Sequence, residues 1–296
     1  TVEFADQGPY FERLTTSAAS RNLPDVFWLT DTYFGRYASS GALLDLSPYL
    51  GEQIDTDGLG EDWLGYGTVD GKVYGIPSHF NGQGVLIDQL VFDQLGVEYD
   101  VTSWDELAEL AASLSRPSEG FYGLTDPTLA VTQRPFEAWV RQHGQELYDE
   151  DGKLGFDEDV LVEWWEYWAA LRADGVIPPP DVQIESQAQG TATALLTHGQ
   201  VAIRFSSATH VSAFGVLRDG GLNIASFPEI KGADEDWRMY TALVLVAAAN
   251  TDAPGVAADL IDFLVNDKDA AKQIRRTEGI INSMTPKERR NPEIIK

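Results

Sequence analysis

The chain has 296 residues, 43% of them hydrophobic, enough for roughly two domains with sizeable cores. Its 47 acidic residues outnumber 21 basic ones, and a formal net charge of −26 repels phosphate backbones and anionic lipid, which argues against nucleic-acid and membrane-surface binding. Cysteine is absent and there is no apolar run of about 18 residues, so disulfide frameworks, thiolate chemistry and a membrane-spanning helix are not expected.

In chain order, residues 2–4 read as a strand and residues 10–20 as a helix with Phe11, Leu14 and Ala18 on one face. Pro24 stops that helix, and Asp25-Val26-Phe27-Trp28-Leu29 reads as a short buried strand. Residues 41–48 read as the end of a second helix and its exit. In "GTVDGKVYGIPSHFNGQ" (residues 67–83), Asp70-Gly71 is a hairpin turn and residues 72–76 alternate as a strand. Pro77 has no N–H to donate and is expected to end the ladder. Ser78, His79, Phe80 and Asn81 follow, with Gly82 and Gly84 expected to supply permissive backbone just after them.

Ser103-Trp104-Asp105-Glu106 has the form of a capping box, followed by Leu107, Leu110, Ala111 and Leu114 at helical spacing. Residues 150–153 read as a hairpin turn. Asp157 is expected to cap a helix bearing Leu161, Trp164, Trp165, Trp168 and Leu171, with the tryptophans serving as core. Pro178-Pro179-Pro180 reads as a stiff connector, residues 189–197 as a helix, and residues 201–205 and 243–249 as strands. Asp252 and Pro254 then open a helix with Ala257, Ile261 and Leu264 inward. Strands alternating with amphipathic helices give the fold class as α/β.

Catalytic and metal signatures are absent from the sequence. The runs that begin at Asp55 and Asp149 lack the twelfth-position Glu of a calcium loop and read as turns. His79, His143, His198 and His210 share no i,i+4 spacing that would hold zinc. There is no Gly-x-Ser-x-Gly elbow and no phosphate-binding loop, and among 47 acidic residues a chance carboxylate pair carries no weight. No metal, cofactor or catalytic group is expected.

Four segments, in order, resemble the extracellular solute-binding proteins of ABC sugar importers, the group that includes maltodextrin-binding proteins. They are "YFERLTTSAASRNLPDVFWLTDTYFGRYASSGALLDLSPYL" (residues 10–50), the hairpin stretch extended through "LGVEYDVTSWDELAELAASLS" (to 115), "LLTHGQVAIRFSSA" (195–208), and "SFPEIKG" followed by "LVLVAAANTDAPGVAADLIDFLVN" (226–266). The resemblance implies a two-lobed, type II periplasmic-binding-protein-like fold with crossing hinge strands. Residues 1–78 and 229–275 would form a first α/β lobe and 82–225 a second, with 79–81 and 226–228 as crossovers and 276–296 opening a further C-terminal segment. Family members run longer at both ends, so a strand and helix are expected before Thr1 and closing helices after Lys296. Two departures stand out. Ile87-Asp88 replaces the usual Tyr-Asn, a difference read as structural, and Phe205-Ser206-Ser207-Ala208 replaces a Gly-x-Trp sugar platform.

A sugar shows apolar C–H faces and a rim of hydroxyls, so its site needs flat aromatic platforms and planar polar groups. By resemblance, Trp28 matches a stacking position and Asp31 a hydroxyl-binding carboxylate, with Thr32 and Tyr33 beside it at a strand end. The bland alternatives are a buried strand residue for Trp28 and a helix cap for Asp31. His79, Phe80 and Asn81 would line the first crossover, and Asp126 would follow a strand. Phe205, Ser206 and Ser207 stand where a strand meets a helix, with helix capping as the alternative for the serines. Trp237, Arg238 and Tyr240 precede the returning strand, with surface packing as the alternative for Trp237 and Arg238. The implied function is a non-catalytic, monomeric carbohydrate receptor that closes on its sugar and delivers it to the membrane permease of an ABC importer. It would act outside the cytoplasm, in the periplasm or lipid-anchored, with any export signal outside these residues. The alternatives are a receptor for a polyamine or other non-sugar solute, for which Asp31, Asp126 and the aromatics would serve, and a glycoside-acting enzyme on the same scaffold.

Overall fold

A computed structural model of the chain describes residues 7–57, 59, 61–129, 134–149, 151–188, 194–207, 210–218, 221–230, 233 and 239–270. Its elements begin with α1 (Gln7–Ala19), β1 (Val26–Leu29), α2 (Asp31–Ser39), α3 (Glu61–Gly65), β2 (Thr68–Val69), β3 (Lys72–Val73) and β4 (Gly75–Asp88). They continue with α4 (Gln89–Leu95), α5 (Trp104–Leu114), β5 (Tyr122–Leu124), α6 (Arg134–Gln142), α7 (Glu158–Ala173) and α8 (Pro180–Ala188). The last are β6 (Val201–Ser207), α9 (His210–Leu217), β7 (Leu222–Ala225), β8 (Met239–Ala247) and α10 (Pro254–Asn266). Two compact units result, Thr1–Asn81 with Tyr240–Lys296, and Gly82–Met239.

In the first unit β8 lies between β1 and β4, and β1 pairs with it antiparallel, Phe27 facing Val246 and Trp28 facing Leu245. Side chains alternate across a strand, so each face of this sheet needs its own cover. Phe27, Leu29, Val244 and Val246 pack with Phe11 and Leu14 of α1 and Phe34, Tyr37 and Ala38 of α2. Ile76, Leu245 and Ala247 pack with Leu46, Ile54 and the α10 residues Ala257, Ala258, Ile261 and Val265. Asp70 and Gly71, with φ of 50° and 75°, make the predicted tight turn between β2 and β3.

The second unit orders its strands β5–β6–β4–β7, with β5 parallel to β6 and β4 antiparallel to both β6 and β7. Its larger core is aromatic, built from Trp104 of α5, Trp139 of α6, Trp164 and Trp168 of α7, and Phe205 of β6. Trp165, at 48% exposure, points outward instead. The capping box forms as predicted: Glu106 N donates to Ser103 Oγ at 3.3 Å, and Glu106 Oε2 accepts from Ser103 N at 3.1 Å. Asp88 is fully buried, accepts from Val91 N at the start of α4, and binds Arg218 through Nε (3.0 Å) and Nη2 (2.7 Å). Its role is therefore structural, as the departure from the usual Tyr-Asn suggested.

Several expectations need correction. Pro77 does not end the ladder: β4 runs through it for 14 residues. Proline removes one donor but its fixed φ is compatible with extended backbone, and Ser78 next to it donates Oγ to Leu243 O at 3.1 Å. Gly84 has no positive φ; it is needed for close approach, because a Cβ there would lie 2.7 Å from Ala225 O. Pro180 opens α8 rather than serving as connector, and the described end of the expected 189–197 helix, residues 195–197, is turn. Asp157 sits at the N-cap of α7 without a capping bond; its Oδ2 accepts from Gln145 Nε2 at 2.9 Å.

The second passage between units also shifts. Residues 226–228, expected as the crossover, belong to the second unit. The amide of the buried Gln142 explains this. Its Nε2 donates to Pro228 O at 3.0 Å, and its Oε1 accepts from Ile230 N at 3.0 Å and Trp104 Nε1 at 2.8 Å. Phe227 packs edge-on to Phe205 at 5.3 Å, and Glu229 N donates to Thr102 O at 2.8 Å. Residues 226–230 are thus bound into the second core. The expected strand at 2–4 and the segment 276–296 lie outside the described residues.

Candidate functional site

In the first unit the candidate residues gather where β1 hands over to α2. Asp31 is the first helical residue, one position after the N-cap Thr30, and its Oδ1 accepts from Thr32 N at 2.8 Å and Thr32 Oγ1 at 3.3 Å. A carboxylate in a first helical turn is favoured by the partial positive charge of the free N–H groups. Thr32 is exposed, and Asp31 is half-buried. Tyr33 is committed to packing: its ring stacks on Phe11 at 4.1 Å with 10° between planes, against the core under α1 and α2. Trp28 is half-buried and rests on the α10 side of the sheet. The Tyr10 hydroxyl donates to Trp28 O at 2.9 Å and accepts from Trp28 N at 3.0 Å, which satisfies backbone groups of β1, the outermost strand of its sheet among the described residues. Burial pushes the Tyr10 pKa up.

His79, Phe80 and Asn81 belong to β4 as backbone, at the end of the first unit's stretch of that strand, and the chain enters the second unit at Gly82. Their side chains, that of Tyr240, and the whole of Trp237 and Arg238 lie outside the described residues.

In the second unit β5 and β6 run parallel, so their carboxyl ends share one edge, and Asp126, Ser206 and Ser207 all fall there. Asp126 does not present a free carboxylate. It is 1% exposed, its Oδ1 accepts from Thr128 N at 2.8 Å and Thr128 Oγ1 at 2.6 Å, and its Oδ2 pairs with Arg172. Gln183 Oε1 also accepts from Asp126 N at 2.8 Å, and Gln183 Nε2 donates to Asp126 O at 2.5 Å. Both carboxylate oxygens are engaged within the protein, so a hydroxyl-binding role is corrected to a structural one. Phe205, expected among the ligand contacts, instead packs on the second unit's core, stacked on Trp104 at 5.6 Å.

Ser206 and Ser207 are buried at the end of β6, opposite Gly84 and Gln83. Ser206 Oγ lies 2.7 Å and Ser207 Oγ 3.3 Å from Nδ1 of His210, the first residue of α9. Both hydroxyls thus bond a side chain at the start of that helix. His210, its ring edge-on to Phe214 at 5.7 Å, has its pKa lowered by burial and then by nearby Arg204. Reasoning from sequence singled out the serines but missed Arg204 and His210. The available signal was two-residue alternation, which puts Arg204 on the same face of β6 as Ser206.

Hydroxyls and an imidazole at the end of β6, with a guanidinium in mid-strand on the same element, can bind polar solutes. Among the described residues no cluster of three His, Asp or Glu could hold a metal ion, and no helix is long and apolar enough to cross a membrane.

Two α/β units with polar groups at strand ends, threaded by one strand that passes from the first to the second, define a two-domain solute-binding fold of the periplasmic type. An ABC substrate-binding protein from Listeria monocytogenes, solved in complex with cycloalternan, shares this fold with a TM-score of 0.81 at 21% identity, over 100% of this chain and 74% of that one. The sequence profile of the bacterial extracellular solute-binding protein family matches residues 1–295, and the chain belongs to that family. A putative binding protein of Brucella abortus (strain 2308) is 22% identical over 197 residues, covering 66% of this chain and 47% of that protein. An erythritol/L-threitol-binding protein of Mycolicibacterium smegmatis is 25% identical over 193 residues, 58% of this chain and 40% of that protein. The chain spans about half the length of the curated relatives it matches.

Proposed function

We propose that the chain is the solute-recognising part of a non-catalytic receptor for a carbohydrate or polyol, which closes on its ligand and hands it to the permease of an ABC importer. The observation that carries this reading is the family match along residues 1–295. The ligand names of the relatives, erythritol/L-threitol in one and cycloalternan in another, supply the solute class. Trp28, Asp31, Thr32, Ser206 and Ser207 are the proposed ligand contacts among described side chains, joined by His79, Phe80, Asn81, Trp237, Arg238 and Tyr240. The receptor works as a monomer outside the cytoplasm, in the periplasm or on a lipid anchor. With Asp126 already paired to Arg172, the acidic box of a polyamine receptor lacks one of its carboxylates.

A thermal-shift screen of sugars and polyols tests this. A ligand that binds only the folded state stabilises it by about 2.7 kcal/mol at a hundredfold excess over Kd. In a chain of this size that raises the melting midpoint by roughly 4 °C. At least one compound should produce the shift and be recovered chemically unchanged. Cleavage of that compound by the purified chain would replace the receptor with an enzyme.

A further inference from the structure

The described cations of the second unit are, with one exception, paired through hydrogen bonds. Arg134 and Arg141 bind Glu137, Arg172 binds Asp126, Arg218 binds Asp88, Lys153 binds Asp151, and Arg116 donates to the carbonyls of Ser113 and Ser115. The exception is Arg204, in mid-strand on β6 between Ile203 and Phe205. Its guanidinium lies 5.0 Å from the centre of the Phe214 ring and has no carboxylate partner among the described residues. An aromatic face attracts a cation but accepts none of the five N–H bonds that a guanidinium offers. Burial alone lowers the Arg204 pKa, with no opposing charge to offset it. In a chain with 47 acidic residues, a half-buried guanidinium without a carboxylate among the described residues reflects its place rather than a shortage of anions.

That place is furnished for an oxyanion. Two positions along the same face of β6 is Ser206, whose Oγ lies 2.7 Å from His210 Nδ1. Arg204 and His210 are close enough for the guanidinium to depress the imidazole pKa. A guanidinium fork matches a carboxylate or phosphate, the hydrogen-bonded Ser206–His210 pair adds one donor when the imidazole is neutral and two when it is protonated, and charge-assisted bonds to such groups are shorter and stronger than bonds to neutral hydroxyls. We infer that Arg204, Ser206 and His210 form an oxyanion-binding position, so that the solute taken by this receptor carries a carboxylate or phosphate group on its polyhydroxylated frame. The inference rests on the receptor function proposed above and narrows its ligand class.

Titration calorimetry on the whole chain tests it, with D-galacturonate, D-glucuronate and D-glucose 6-phosphate set against D-galactose and D-glucose. At least one charged compound should bind at least about 10-fold more tightly than its neutral counterpart, and the carboxylate and phosphate arms show which oxyanion is preferred. Arg204→Gln should abolish that preference, bringing the charged compound to the affinity of its neutral counterpart or below, and Arg204→Lys should keep part of it. If Arg204→Gln fails to fold, ring NMR of His210 in the unaltered chain replaces it: saturation with the preferred acid should raise the imidazole pKa, and an unmoved pKa overturns the inference. Equal or tighter binding of the neutral sugars overturns the inference and leaves the receptor reading in place. Binding of none of the five, together with no response in the wider sugar and polyol screen, removes both.

Discussion

A buried carboxylate holds its charge only where the protein replaces the water it has lost, and Asp126 meets that condition through Thr128 and Arg172. Gln183 satisfies the backbone N–H and C=O of the same residue, so one glutamine and one arginine from two helices fix the exit of β5. Removing one partner of a buried pair leaves the other uncompensated, at a cost of roughly 3–5 kcal/mol, less here because Arg172 keeps 32% exposure. Asp126→Ala should therefore lose about 3 kcal/mol in urea unfolding while changing solute affinity less than about 3-fold. Collapse of affinity with stability intact would return Asp126 to the ligand site. Asp126 also shows why a site residue is hard to read from sequence: a carboxylate after a strand looks the same whether it faces a solute or an arginine 46 positions away.

At the scale of elements, signals carried by neighbouring residues were legible and long-range ones were not. The Ser103–Glu106 box and the Asp70-Gly71 turn are written within four residues and form as read. The extent of β4 was not legible, because Pro77 is a local stop whose effect is overridden by pairing along a 14-residue strand. The segment 226–228 reads as a crossover from sequence because nothing nearby shows that Gln142, 86 positions before Pro228, holds it. Gly84 combines both lessons. Its lack of a side chain was visible, but its reason, the approach of Ala225 O and Ile224, comes from a strand 140 residues on. Gly84→Val should destabilise the chain by about 1–3 kcal/mol in denaturant unfolding, Gly84→Ala by less. Wild-type stability for the valine variant would mean that β7 does not approach β4 as described.

For the molecule as a whole, the described residues pass between the two units at Asn81–Gly82 and at Met239–Tyr240. In the proposed function those passages are hinges, and closure is a population shift, so the solute must bind the closed form more tightly than the open one. Asn81 offers both donors and an acceptor, whereas leucine offers neither, so Asn81→Leu should weaken binding and blunt closure with little loss of stability. Solution X-ray scattering of the chain with and without its tightest-binding solute tests the central claim, a receptor that closes on its ligand, most directly. A smaller radius of gyration on saturation, with a reduced change for Asn81→Leu, is the predicted result. An unchanged radius for the wild-type chain at saturating solute, or full compaction and affinity in Asn81→Leu, would contradict it.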